Sequence, residues 1–484
     1  MKRHINIYKA VRFIMCIVIL LFTYACNLTG SIDDIKPKYK LSEETTYSDA
    51  TKVEAALSGV YSAWRGLGIG YSETLMLSGY YQPSSAGGQG TDLLENNVDV
   101  NGHKLDNYYS DYYIMVQRAG FLIKALQSDK EIIGLSEDRR KEIEAEARLN
   151  RAMAHFFLLR SFGQFYDVNS ELGIVARTEP ITENTGYPRN TVQETYDIIL
   201  ADIEFGVLNA PLTASYFGLV TRSTAKALKA KVLLYMNRWT EAADLALEVI
   251  NSGKYELMDQ YEDIYSAGFK SEEVIFSPIS IYWSQVYYSG SYWHAPSEAL
   301  KQLADKNYDD GDPLTPIDTD GDITTGGGFD PRFAFAHALL NLPHGVYNAK
   351  YPFIIGIDGN QANSHFILRL AEMYLIYAEA KARIANDVDA DALDKLNVIR
   401  ARAGIDPIAP ATKAELLEAI RIEKSLEFFG EFNQPWFDMI RYHIHGDLNI
   451  SDLKPTITNN NQLILPFPVS ALTGNSSLEQ NPGY

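Results

Sequence analysis

Apolar residues recur at helical spacing over most of this 484-residue chain, and one broad central stretch breaks the rhythm. Across 49–65, Val53, Ala56, Leu57, Val60 and Trp64 mark one face of a helix. Gly, Ser and Asn then crowd 66–107, which predicts long loops, and a helix resumes over 108–126. The stretch 136–163 opens on Ser136 as an N-cap, runs from acidic to basic residues and closes at Gly163. Thr191 followed by Glu194 forms a capping box for the next helix. Over 221–253 the pattern is helix–turn–helix, with Ala225, Leu228, Ala230, Leu233 and Leu234 facing Ala242, Ala243, Leu245, Ala246 and Val249. Small residues at such sites let antiparallel helices approach closely, as in tetratricopeptide-like hairpins.

From 254 to 363 the period is lost, and Pro, Gly, Asp and aromatic residues predict loops and short strands. Helical spacing then returns. Ala371, Leu375, Ala378 and Ala382 share one face and Leu370, Tyr374 and Tyr377 another, so this helix is expected to pack on two sides. The segment 391–404 ends with Gly404 in a C′ position, and a last helix spans 413–429 before an extended, turn-rich tail. The prediction is a mainly α protein of tetratricopeptide-like hairpins with an irregular, aromatic-rich insertion.

The N-terminus has a different character. Lys2, Arg3, Lys9 and Arg12 precede an apolar run over 13–22, too short to span a bilayer as a mature helix and suited to an export signal. The chain has two cysteines, Cys16 inside that run and Cys26 just after it. An exported protein with no internal disulfide available and a cysteine behind its signal core reads as a lipoprotein, with Cys26 lipidated. Thr23 and Tyr24 are a loose version of the usual residues before that cysteine. Two or three acyl chains give stable anchoring where one would be marginal. The expected organisation is a signal peptide (1–25), a polar tether (26–48), an N-terminal helical region (49–253) and a C-terminal region (254–484) that includes the insertion 254–363. The formal charge of −19 argues against nucleic acid or anionic lipid head groups as partners.

Several segments, in order, resemble the SusD/RagB family of surface lipoproteins. "EAEARLNRAMAHFFLLRSFG" (144–163), "RLAEMYLIYAEAKA" (369–382), "LDKLNVIRARAG" (393–404), "PWFDMIRY" (435–442) and "LPFPVSAL" (465–472) are similar to its helical and C-terminal motifs, and "QNPGY" (480–484) to its closing signature. Departures occur at Glu423-Lys424, where Glu-Arg is usual, and at Ala119-Gly120. The resemblance implies the SusD-like α fold and no catalytic residues or cofactor. It also implies a glycan ligand at the cell surface and, as partner, a TonB-dependent outer-membrane transporter of the SusC type. A peptide-binding RagB-like role and a surface glycoside hydrolase are the alternatives.

Sugar recognition needs aromatic faces for the C–H side of the ring and polar groups around its rim. The stretch "IYWSQVYYSGSYWH" (281–294) offers Tyr282, Trp283, Tyr287, Tyr288, Tyr292 and Trp293. Alternation through Ile279, Ile281 and Trp283 sends Trp283 inward and leaves Tyr282 open, so the four later rings are the stronger platform candidates. "GYYQPSSAGGQG" adds Tyr80, Tyr81, Gln82 and Gln89. Asp318, Asp320 and Asp322 do not fit an EF-hand register and read as an acidic turn. His443 and His445 sit at a spacing that on a strand would share one face, but no third ligand is nearby in sequence, so no metal is expected.

Overall fold

Small residues decide which helices touch. The computed structural model describes residues 46–65, 74–83, 91–183, 185–266, 271–278, 294–305, 327–337, 348–351 and 366–484. Its main helices are α1 (Ala50–Tyr61), α2 (His103–Gln127), α3 (Glu137–Phe162), α4 (Val192–Asn209), α5 (Arg222–Tyr235) and α6 (Trp239–Ile250). After the insertion come α7 (Leu370–Ile384), α8 (Ala390–Arg402), α9 (Lys413–Phe428) and α10 (Gln434–Ile444). Each of α2 to α6 packs on the helix before it, as hairpins do. Helix α6 then packs directly on α7, so the stack closes over the insertion as if residues 251–369 were absent. Ala242, Ala243 and Ala246 of α6 are buried, while Ala371, Ala378 and Ala382 of α7 join the core cluster with α8 and α9, so α7 packs on two sides. Tyr377 on the second face of α7 is buried as well, and Tyr374 is half-buried. Leu245 is also only half-buried rather than fully turned into the hairpin.

Local signals set the helix ends. Ser136 accepts from the Arg139 amide, and Thr191 and Glu194 complete the capping box reciprocally. Helix α2 starts at His103, five residues before the expected point, because Gly102 supplies no side-chain cap to mark the start. The expected loop over 66–107 also holds regular pieces: a 3-10 turn (Leu75–Ser78), strand β1 (Tyr81–Pro83) and a helical turn (Thr91–Leu94). Elements of three or four residues are too short to show a period. The helix ending near 429 is not the last. The chain turns at Gly430 (φ +72°) and restarts as α10. A Cβ at Gly430 would lie 2.7 Å from Asn348 Nδ2 and 2.8 Å from Tyr81 Oη, so only glycine fits there.

The C-terminal signature works as a clasp. Asn481 donates to the carbonyls of Phe162 (2.8 Å) and Leu465 (2.7 Å) and accepts from Arg189 (2.9 Å). Gln480 exchanges two 2.8 Å hydrogen bonds with the Phe467 backbone. Gly483, at φ +97°, supplies the turn residue that follows Pro482. The tail is thereby stitched to the C-terminal end of α3.

Candidate ligand site

Two short ladders gather the insertion. Strand β2 (Val274–Phe276) pairs antiparallel with β4 (Leu368–Arg369), and β1 with β3 (His294–Pro296) in the register Tyr81↔Pro296, Gln82↔Ala295, Pro83↔His294. Because the second ladder is antiparallel, the chain leaves β1 at Pro83 and enters β3 at His294 at the same end. One end of segment 84–90 and one end of segment 279–293 are therefore attached side by side. The bridge Asp305↔Phe329 brings together the two ends of 306–326. Tyr81 Oη lies 3.2 Å from His337 Nε2 and accepts from Asn348 Nδ2 at 3.2 Å, which ties in the two residues flanking 338–347.

These roots rest on a buried electrostatic network centred on α9 and the residues just beyond it. Arg369 reaches Glu273 (2.5 Å), Glu427 (2.9 Å) and Glu431 (2.9 Å). Arg332 reaches Asp330 (2.9 Å), Glu423 (2.6 Å) and Glu427 (3.1 Å). Lys350 pairs with Glu431 (2.8 Å) and donates to the Glu427 and Phe429 carbonyls. Arg402 bridges Glu273 and Glu427, and Arg400 pairs with Glu423. Five cations thus meet five carboxylates, so the network is neutral as a whole. Burial would raise the Glu427 carboxyl, but Arg402, Arg369 and Arg332 outweigh that and hold it well below the usual carboxylate range. Burial lowers Lys350 to about 8, with Glu431 opposing the fall.

A second buried cluster locks α7, α9 and α10 together. Lys424 pairs with Glu379 (2.9 Å) and Asp438 (2.8 Å), and Arg441 spans the same two carboxylates. The lysine at 424, a departure from the family pattern, thus keeps two ionic partners. Beneath β1, Lys454 is 4% exposed and donates to the carbonyls of Met76, Leu77 and Leu93, the residues either side of 84–90. Burial lowers it to about 7.

The sequence-derived site residues divide. Tyr282, Trp283, Tyr287, Tyr288, Tyr292, Trp293 and Gln89 lie outside the described residues, as do Cys26 and Asp318, Asp320 and Asp322. Tyr80 (4% exposed) and Tyr81 (1%) are covered, so these rings support the loop roots instead of offering open faces, while Gln82 is half-buried. The pair falls inside because Tyr81 opens β1 and the Tyr80 carbonyl just before it accepts from the Ser297 amide, so an apparent loop is packed against the β3 segment. His443 and His445 belong to α10 and its C-cap rather than a strand, and each hydrogen-bonds a different asparagine, Asn460 (3.2 Å) and Asn237 (2.9 Å). Residues two apart on a helix point to different sides. Among the described residues no cluster of metal-ligating side chains occurs. The ionic network was missed because carboxylates four residues apart on a helix look like a solvated face. The one available signal was that Leu426, Phe428 and Phe429 share that stretch.

Comparison with known proteins agrees with this architecture. Residues 281–484 match the family model described as "SusD family", and residues 34–234 one described as "Starch-binding associating with outer membrane". A SusD-like protein P2 from Formosa agariphila is 24% identical, with 96% of this chain and 98% of the relative aligned. A SusD-like protein from Bacteroides ovatus is also 24% identical, over 90% of this chain and 82% of its own length. Among solved structures, a SusD superfamily protein from Bacteroides thetaiotaomicron superposes with TM-score 0.72 at 22% identity, covering 90% of this chain and 100% of its own. One described as a laminarin-binding SusD-like protein gives 0.66 at 23% identity, with 90% and 100% covered.

Proposed function

The chain belongs to the SusD/RagB family, and from that premise we propose that it is a cell-surface lipoprotein that captures oligo- or polysaccharide and delivers it, chemically unchanged, to a SusC-like TonB-dependent transporter. The observation that carries this reading is the common root of 84–90 and 279–293 at the Pro83↔His294 end of one ladder. The segment that carries the six aromatic residues re-enters the fold beside the point where the segment that carries Gln89 leaves it, on a scaffold held by buried ion pairs. The laminarin-binding relative of the same fold supports glycan as the ligand class.

The proposed platform is Tyr282, Trp283, Tyr287, Tyr288, Tyr292 and Trp293, with Gln82 at the rim and Tyr80 and Tyr81 as supports. Base-to-aromatic stacking on an alanine scan is worth about 1–3 kcal/mol per ring, and a pyranose face on Trp or Tyr is expected to fall at the lower end. Calorimetry against a glycan panel tests the proposal. A Tyr288→Ala, Trp293→Ala double variant is expected to lose at least tenfold in affinity, and undiminished binding would sink the site. Release of shortened glycan by the purified protein would sink the binding-only role.

Anchoring is proposed through lipid on Cys26. No helix among the described residues is long and apolar enough to cross a membrane. Cys26→Ser is expected to move the protein out of the membrane fraction, and retention there would exclude this anchor.

A further inference from the structure

A cavity of 640 Å³ opens between α2, the loop before α4 and the segment near 470–475, and none of its lining residues belongs to the ladders or the loop roots. Its size is that of a small-ligand pocket, which typically runs about 300–1,000 Å³. Tyr109, Tyr113 and Tyr187 line it, and the exposed side chains of Ile114 (42%) and Ile181 (44%) also face it. The walls are fixed. Tyr113 Oη donates to the Val175 carbonyl at 3.1 Å. Gln117 holds the Ile181 backbone through both its amide atoms at 2.8 Å, and Asn475 does the same for Tyr187 at 2.9 and 2.7 Å.

One buried cation lines this cavity without a counter-ion, and a second, half-buried one lies beyond the lining. Arg177, in the lining, is 8% exposed, lies 3.9 Å from the Tyr187 ring centroid and leaves Nη1 without a hydrogen-bond partner. Arg189 donates only to neutral acceptors, the Gly173 and Phe162 carbonyls and Asn481, and its Nη1 is likewise unpartnered. Neither forms an ion pair with a described carboxylate. Elsewhere the interior arginines 332, 369, 402 and 441 each meet at least two acidic groups, and Arg160, which forms no ion pair with a described carboxylate, is enclosed by the rings of Phe156, Phe157, Tyr235 and Phe437. Of the cavity's own acids, Asp106 bonds Ser470 and Glu183 stays on the exposed edge. A buried cation with no counter-ion is costly, and a bound anion removes that cost.

We propose that this cavity is a second saccharide site, selective for a sugar ring that carries a carboxylate. Tyrosine and isoleucine surfaces take the ring, and the Arg177 guanidinium takes the carboxylate. The proposal rests on the glycan reading for its ligand class only, because it uses none of the aromatic-loop residues.

Calorimetry on the mature chain with tetragalacturonic acid and its carboxyl-reduced neutral counterpart tests it. Wild type is expected to prefer the acidic tetrasaccharide, with affinity that falls as salt rises. Arg177→Gln is expected to lose about tenfold or more of that affinity, as one charge-assisted hydrogen bond implies. Ile114→Trp, at an exposed position where folding is not at stake, should block the site to a similar degree. The Tyr288→Ala, Trp293→Ala variant should keep it, which separates this site from the platform. Equal affinity for the two tetrasaccharides, no binding of either, or wild-type affinity in Arg177→Gln and Ile114→Trp would overturn the proposal.

Discussion

Where α7 meets α8 and α9, Ala371, Ala378, Ala382, Leu396, Leu416 and Ile420 close an apolar seam with no polar atom to satisfy. At the loop roots, five cations and five carboxylates are gathered with all but Arg400 almost wholly closed off from water. The seam is non-directional: any side chain of the right volume serves. The network is directional, because each charge must meet a partner at hydrogen-bonding distance or bear its desolvation cost alone. A stack of similar helices needs only close approach. Long segments that lack a hydrophobic face need their ends fixed individually, and Glu273, Asp330, Lys350 and Arg369 stand beside those ends. The stack is thus held by volume and the loop roots by paired charge, which also sets where those roots sit.

The largest way to break this contrast is Glu427→Gln. The change keeps the volume but leaves Arg332, Arg369 and Arg402 with one carboxylate too few, and losing a buried ionic partner costs about 3–5 kcal/mol. The urea midpoint should drop accordingly, and glycan affinity with it. A midpoint within experimental error of wild type would mean that the network does not hold the roots.

Next in size is a pH effect at Lys454. Burial takes it from 10.5 to about 7, so between those values the unfolded chain binds more protons than the folded one. Stability therefore rises with pH from about 7 toward 10.5, and below 7 the full cost of burying the cation is present. Each unit is worth about 1.4 kcal/mol, and the three carbonyls around the ammonium reduce the total to a few kcal/mol at most. Unfolding measured at pH 7 and 9 should show the rise in wild type and a smaller one in Lys454→Met, the remainder belonging to Lys350. An unchanged slope in the variant would assign the effect to other groups.

The apolar seam answers to volume instead. Ala378→Leu adds bulk where α7 approaches its neighbours, and overpacking of this kind costs about 1–3 kcal/mol. A charged seam would have punished polarity more than size. Here Ala378→Ser should be milder than Ala378→Leu in the same denaturation assay, and the reverse order would contradict the packing account.

The same contrast explains what could be seen from sequence. The hairpins were legible because alanine-rich faces repeat at helical spacing over a dozen residues or more, and because Ser136 and Thr191 cap locally. The roots were not, because β1 and β3 are three residues each and lie more than two hundred residues apart, and no local pattern joins them. Glu423, Glu427 and Glu431 carry the spacing of an exposed face, and only the arginines brought from elsewhere by the fold reveal them as interior. Tyr80 and Tyr81 were misjudged for the same reason: their exposure depended on a partner strand that sequence proximity cannot supply. Arg177 gave no signal at all, since an arginine without a counter-ion is visible only once its surroundings are known.

The smallest effect sharpens the stack's side of the comparison. Thr191 accepts from the Glu194 amide at 3.1 Å, and Glu194 returns a 2.9 Å bond to the Thr191 amide. Thr191→Ala removes one half of that box and frees an amide at the start of α4, which costs about 1 kcal/mol. Helix α4 packs between α3 and α5, so the loss should appear in the unfolding midpoint alone. Affinity for a glycan bound at the aromatic loops should stay at the wild-type value. A parallel fall in affinity would show that stack and loops are coupled, and the division of labour between apolar seam and ionic network would then have to be given up.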